Sequence, residues 1–324
     1  MLRITQYVQP HHDVIDGAFE ARFPHMAIRK VGSLAELAEA MPETDALITG
    51  NPLFLPDVSR VVRERGGKLK WIQFTSVGID TAMASGLPPG LPITNVRGVR
   101  TSLIAGHAIA LMMGLLRGFR AFDRYRRDHV WAREQMAHVV KTAEGKTLVI
   151  VGLGDIGHDC ARKAKAFDMH VVGISRAGKA EGPIDEVFPR TRLLEILPRA
   201  DVLLLSLPLE AETRHIIGAR EIAALKPTAV IVNIARGALI DEPALVAALV
   251  ERRIAGAAMD VLETEPLPPD SPLWDLDNVL FSPHIAGHSD VASKTALAEM
   301  LADNLRRFAA GEPLRNVMAV SAVA

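Results

Sequence analysis

A single cysteine in 324 residues excludes a disulfide framework within the chain, and neither Cys-x-x-Cys nor His-Glu-x-x-His occurs among its residues, so no zinc pattern is expected. His284 and His288 stand four apart, which on a helix would make a ligand pair, but Pro283 and Gly287 predict a loop there. An excess of charge of either sign is also missing. The formal net charge is -1, with Lys and Arg scattered, which leaves no electrostatic footprint for nucleic acid or an anionic membrane surface. Long apolar runs are absent too: Gln, Pro, His and Asp interrupt the first 23 residues, and no later segment stays apolar for a bilayer's thickness. No internal repeat or low-complexity segment appears. The expectation is an untargeted cytoplasmic protein whose partner is a small molecule.

The chain is long enough for two domains, with 49% hydrophobic residues to fill their cores. Apolar runs of strand length alternate with helical patterns, which predicts an α/β fold with parallel sheets. In the first hundred residues the strands are "RITQYV", "DALITG", "LKWIQF" and "PITNV", with helices around "SLAELAEAM" and "PDVSRVVRERG". One long helical pattern runs from Thr101 through "DHVW" and is expected to bridge two domains. A second series follows: "TLVIV", "HVVGIS", "VLLLSLP", "AVIVNIA", "GAAMDV" and "VLFSPH". These near-continuous apolar runs suit strands covered on both faces. A helix after "HS", capped by Ser289 or Asp290, is expected to pack back on the first unit, and the tail after Val317 to be disordered. Cys160 falls on an apolar helix face and reads as a small packing residue.

"LVIVGLGDIG" sets Gly152, Gly154 and Gly157 directly after a strand and at the opening of a helix. The first permits a tight turn, the second lets backbone approach a pyrophosphate, and the third lets helix and strand pack closely, while the helix N-terminus favours an anion. This is a dinucleotide site. The acid that would bind the ribose diol of NAD at the end of the next strand is lacking. Ser175, Arg176 and Lys179 stand there instead, a hydroxyl and two cations suited to the 2′-phosphate of NADP. The alternative is a solvated loop that admits either cofactor.

Three later strands end in polar residues: Arg236 in "NIARGALIDE", Asp260 and Glu265 in "AMDVLETEP", and His284 in "FSPHIAGHS". Ligands bind at such ends in open α/β sheets. Reducing a 2-oxo acid needs a cation for the carboxylate, a proton donor for the carbonyl oxygen, and a group that keeps the donor charged. Arg, His and Glu are those three types, and a carboxylate beside an imidazole raises its pKa from about 6.5. Taken singly, Arg236 is equally a cap for backbone carbonyls, Glu265 a loop acid, and His284 a satisfied buried imidazole.

"TLVIVGLGDIG", "LLLSLPLEAETRHIIG", "LKPTAVIVNIARGALIDEPALVAAL", "GAAMDVLETEPLPPDSPLWDLDNVLFSPHIAG" and "MLADNLRRFAAGEPLRNVM" together resemble the D-isomer-specific 2-hydroxyacid dehydrogenase family over nearly the whole chain. The resemblance implies a Rossmann-type coenzyme domain, residues 100–286, inserted in a flavodoxin-like substrate domain of residues 1–99 and 287–324. It implies Arg236 as substrate-carboxylate binder, His284 as general acid/base with Glu265 as its partner, and backbone N–H groups of Val77 and Gly78 toward the carboxylate. To the cofactor it assigns Gly152, Gly154, Asp155, Ile156, Gly157, Ser175, Arg176, Lys179, Leu207, Pro208, Thr213, Ile234, Ala235, Asp260, Ala286 and Gly287. No metal is implied, and a homodimer is. Within the family the "ISR" ending resembles the NADPH-preferring glyoxylate/hydroxypyruvate reductase branch, which makes NADP the expected cofactor and NAD the alternative. Ala105 and Gly106 replace the family's usual Ala-Glu pair, and His288 is open between substrate and solvent. Leu53, Phe54, Trp131 and Trp274 are candidate pocket walls, and equally core or interface residues. A nucleotide-sensing scaffold without catalysis is the rival reading.

Overall fold

The computed structural model describes residues 1–7, 22–179, 181–288 and 291–318. The chain divides into two compact units, Met1–Arg100 with Ser289–Ala324, and Thr101–His288.

The first unit holds a five-stranded parallel sheet of β1 (Leu2–Tyr7), β2 (Met26–Val31), β3 (Ala46–Thr49), β4 (Trp71–Phe74) and β5 (Ile93–Thr94), in the order β2-β1-β3-β4-β5. Chain order reverses beside β1, as in flavodoxin-like sheets. Leu297, Leu301 and Leu305 of the helix Val291–Ala310 share one core with Ile4, Ile48 and Trp71 on one face. The other face buries Leu47, Ile72 and Phe74 under the helices Leu34–Ala40 and Pro56–Arg65. The helix at Leu34 starts where Ser33 accepts the Glu36 N–H. Phe54 is fully buried here, edge-on to Phe74 at 5.6 Å, so this candidate wall residue is core. The expected caps Ser289 and Asp290, Val8 of the first predicted strand, and the tail beyond Met318 lie outside the described residues.

The second unit holds a seven-stranded parallel sheet: β6 (Thr147–Val151), β7 (His170–Ser175), β8 (Glu186–Pro189), β9 (Val202–Leu205), β10 (Val230–Asn233), β11 (Gly256–Met259) and β12 (Val279–Phe281). Their order is β12-β11-β10-β9-β6-β7-β8, which puts the switch in winding direction between β6 and β9. All residues of β9, β10 and β11 are buried, which explains their unbroken apolar sequences. The single long helix expected from Thr101 is instead two, Thr101–Leu116 and Phe119–Arg127, bent by 59°. Gly118 makes the break at φ 69°, a conformation in which a side chain would also strike Val139 and Met136. No single helix among the described residues is long and apolar enough to cross a membrane. Cys160 is fully buried between the helices and the sheet, and burial pushes its thiol up to about 12, which keeps it protonated and inert.

Candidate active site

The glycine loop follows β6, at the switch point. Gly152 sits at φ 102°, where a Cβ would lie 2.7 Å from the Leu207 N and the Ser206 carbonyl, so the turns after β6 and β9 touch through backbone. Ser206 fastens them by donating its hydroxyl to the Gly152 carbonyl at 2.6 Å. A Cβ on Gly157 would come within 2.1 Å of that same carbonyl, which ties this glycine to close helix–strand packing. Gly154 differs. A Cβ there would meet nothing within 4 Å, and it opens the helix Asp155–Lys165 without any side chain to cap the first N–H groups. Open space over uncapped helical N–H groups is the cradle a pyrophosphate fits, so these residues suit a dinucleotide.

At the end of β7 the loop is closed by bonds to backbone and one of its two cations is already engaged. The Ser175 hydroxyl closes the loop by bonding the Lys179 N–H and carbonyl, both at 3.1 Å, and Arg176 donates to Glu210 at 2.6 Å. Of the other expected cofactor residues, Leu207, Ile234 and Ala286 are buried and Ala235 half-buried at strand ends. Thr213 is also buried; its hydroxyl bonds the Pro208 carbonyl at 2.8 Å and accepts the Glu210 N–H at 2.7 Å, shaping the turn after β9.

Arg236, Glu265 and His284 come from the loops after β10, β11 and β12, three neighbours in the sheet. Asn233, buried at the end of β10, clamps the Arg236 turn through the Ala235 N–H and the Arg236 carbonyl. Gly237 then lets that turn run against the next, since a Cβ there would fall 1.9 Å from the Leu262 carbonyl carbon. Beyond Leu262, Glu265 accepts the Leu262 N–H at 2.9 Å with one oxygen and faces His284 Nδ1 at 2.7 Å with the other. No bond to Nε2 is seen among the described residues. The Arg236 guanidinium reaches the Ala235 carbonyl at 2.6 Å.

The backbone of His284 is held in the left-handed region, φ 55°. Its N–H donates to the carbonyls of Asp260, at 2.8 Å, and Ser282, at 2.9 Å. The Asp260 carboxylate, 2% exposed, accepts from the Ser282 hydroxyl at 2.6 Å and from the N–H groups of Ile285 and Ala286 at 2.9 Å each. Since the single Ser282 proton is spent on Asp260, His107 Nε2 is the donor in its 2.8 Å bond to Ser282. This chain fixes the loop that carries His284. Asn233, Gly237, His107 and Ser282 escape sequence reasoning because they hold backbone rather than carry chemistry.

The hydrogen bond that His284 donates to Glu265 raises the His284 pKa above its ordinary value, against burial and the nearby Arg236 charge. Burial pushes Glu265 up, but the bonds from His284 and the Leu262 N–H, with the charges of His284 and Arg236, hold it below the usual carboxylate range. The arrangement is an imidazole whose hold on its proton is strengthened, close to a cation. Val77 and Gly78 lie in the first unit, after β4; the Val77 carbonyl accepts from Asn95 at 2.7 Å, and no described residue uses the N–H of either. Of the other candidate walls, Trp131 is 94% exposed, Leu53 is partly exposed, and Trp274 donates to the Pro268 carbonyl with its ring edge-on to Phe281.

Residues 109–286 match the model of the D-isomer specific 2-hydroxyacid dehydrogenase NAD binding domain. A glyoxylate reductase of Korarchaeum cryptofilum is 37% identical over 282 residues, 85% of this chain and 83% of its own. Among solved structures, a D-isomer specific 2-hydroxyacid dehydrogenase family protein from Aeromonas salmonicida superposes with a TM-score of 0.85 at 28% identity, over 99% of both chains. The NADPH-dependent glyoxylate/hydroxypyruvate reductase from Sinorhizobium meliloti, in complex with NADP and sulfate, does so with 0.84 at 27%, again over 99% of both. The chain belongs to the D-isomer-specific 2-hydroxyacid dehydrogenase family. It is accordingly an oxidoreductase with a nicotinamide-dinucleotide-binding domain.

Proposed function

We propose that this chain reduces small 2-oxo acids of the glyoxylate and hydroxypyruvate type to D-2-hydroxy acids, with NADPH preferred. The observation that carries the reading is the 2.7 Å His284–Glu265 pair under the influence of the Arg236 charge. The similarity to glyoxylate reductases, and to a reductase solved with NADP, supports the substrate class and the cofactor.

When bound, a nicotinamide cofactor would supply the hydride that reduces the keto carbon. Arg236 binds the substrate carboxylate and orients the carbonyl. The electron pair released onto the carbonyl oxygen takes the proton from His284 Nε2, and Glu265 stabilises the imidazolium until then. Gly154, Asp155, Ile156 and Gly157 would hold the pyrophosphate, and Leu207, Pro208, Thr213, Ile234, Ala235, Asp260, Ala286 and Gly287 would line the rest of the cofactor's path. Ser175, Arg176 and Lys179 receive the 2′-phosphate. We assign the protein to the cytoplasm and to a homodimer. Phe119, Phe122, Val130, Trp131 and Val139, exposed apolar side chains within one short stretch, form the face we assign to the dimer.

The test is steady-state kinetics with glyoxylate, hydroxypyruvate and phenylpyruvate, each with NADPH and NADH. The expected result is turnover of the two smaller acids with a higher kcat/KM for NADPH, and loss of most turnover in His284→Ala while NADPH still binds. Near wild-type turnover in that variant removes His284 from the mechanism.

A further inference from the structure

The acid missing at the end of β7 has a counterpart elsewhere. Glu210 stands in the turn after β9, 34 positions beyond Arg176, and its carboxylate accepts from the Arg176 guanidinium at 2.6 Å. β7 and β9 are the two strands that flank β6, so the pair joins the turns on either side of the glycine loop. The backbone at Glu210 is fixed: its N–H donates to buried Thr213, and its carbonyl accepts from the N–H groups of Thr213 and Arg214 at 3.0 Å each. Both charged side chains are open to solvent, Arg176 71% and Glu210 40% exposed, so a ligand can reach either.

We propose that Glu210 is a cofactor-selectivity residue, which neutralises Arg176 and supplies from the β9 turn the carboxylate that β7 lacks. A ribose with a free 2′,3′-diol offers two hydroxyl donors to this carboxylate. A 2′-phosphate, with nearly two negative charges at neutral pH, has to draw Arg176 away and then lies beside an uncompensated Glu210. Attraction to Arg176 and repulsion from Glu210 therefore oppose each other. The exposed Lys179 tips the balance toward the phosphate, and Glu210 keeps NADH in use. This inference rests on the assignment of the β7 end to the 2′-phosphate.

Binding of NADPH, NADH and 2′,5′-ADP, measured by calorimetry on the wild type, Glu210→Gln, Glu210→Thr and Arg176→Ala, tests it without turnover. Both Glu210 variants are expected to bind NADPH and 2′,5′-ADP about tenfold more tightly and NADH several-fold more weakly. A ratio of the NADH and NADPH dissociation constants within about twofold of wild type in both variants overturns the role of Glu210. If that ratio is unchanged while Arg176→Ala weakens NADPH and 2′,5′-ADP, only the Glu210 inference falls. Unaltered NADPH and 2′,5′-ADP binding in Arg176→Ala overturns the phosphate assignment and the inference with it.

Discussion

His284 carries a raised pKa on a left-handed backbone, and both properties come from neighbours rather than from its own sequence context. Histidine tolerates this conformation better than β-branched residues, but the cost of about 1 kcal/mol is still offset by the two carbonyls that fix its N–H and by the Asp260 chain behind them. Carbonyl reduction needs the imidazolium. Its rate is therefore expected to be level below the raised pKa and to fall about tenfold per unit above it, with the reverse reaction showing the mirror dependence. In Glu265→Gln the break should move down, toward about 6.5, because burial and the Arg236 charge are then opposed only by the Asp260 charge. A pH–rate profile whose break stays in place would detach Glu265 from the titration. Arg, Glu and His were legible because side-chain chemistry and position at strand ends coincide. Glu210 was not, because it meets Arg176 only once two non-consecutive strands are laid on either side of β6.

Among the elements, the strands of the second unit were readable wherever both faces are covered. β8 was missed because Glu186–Pro189 is a half-exposed edge ending in proline, and β2, another edge, alternates in burial with no strong apolar run. The helix break was hidden for a different reason: Gly118 costs a helix little enough that apolar periodicity reads straight through it. The second and third glycines of the loop have separate physical roles that two variants can tell apart. Gly157→Ala forces a Cβ against a backbone carbonyl and is expected to destabilise the protein by about 3 kcal/mol. Gly154→Ala places its Cβ in open space at a φ of -83°, which alanine adopts freely, so its melting temperature should match wild type while cofactor affinity drops roughly tenfold. Thermal melts and calorimetry on the two variants check this; equal melting and unequal binding in the opposite order would reverse the roles.

At the scale of the whole molecule, Phe119, Phe122, Val130, Trp131 and Val139 are each exposed within one stretch of sequence, the stretch assigned to the dimer contact. Light scattering is expected to give a dimer for the wild type and a shift toward monomer for Phe122→Glu with Trp131→Glu. A wild-type monomer at micromolar concentration ends the dimer assignment. The interleaving of the two units also sets an order of assembly. Residues 101–288 are contiguous and contain everything their sheet needs, whereas the first unit takes Leu297, Leu301 and Leu305 from a helix made near the end of the chain. At ribosomal speeds those side chains emerge roughly 10–40 s after β5. Throughout that interval Ile4, Ile48 and Trp71 lack the C-terminal helix that covers them, so the unit begun first is completed last, with one face of its sheet open until then.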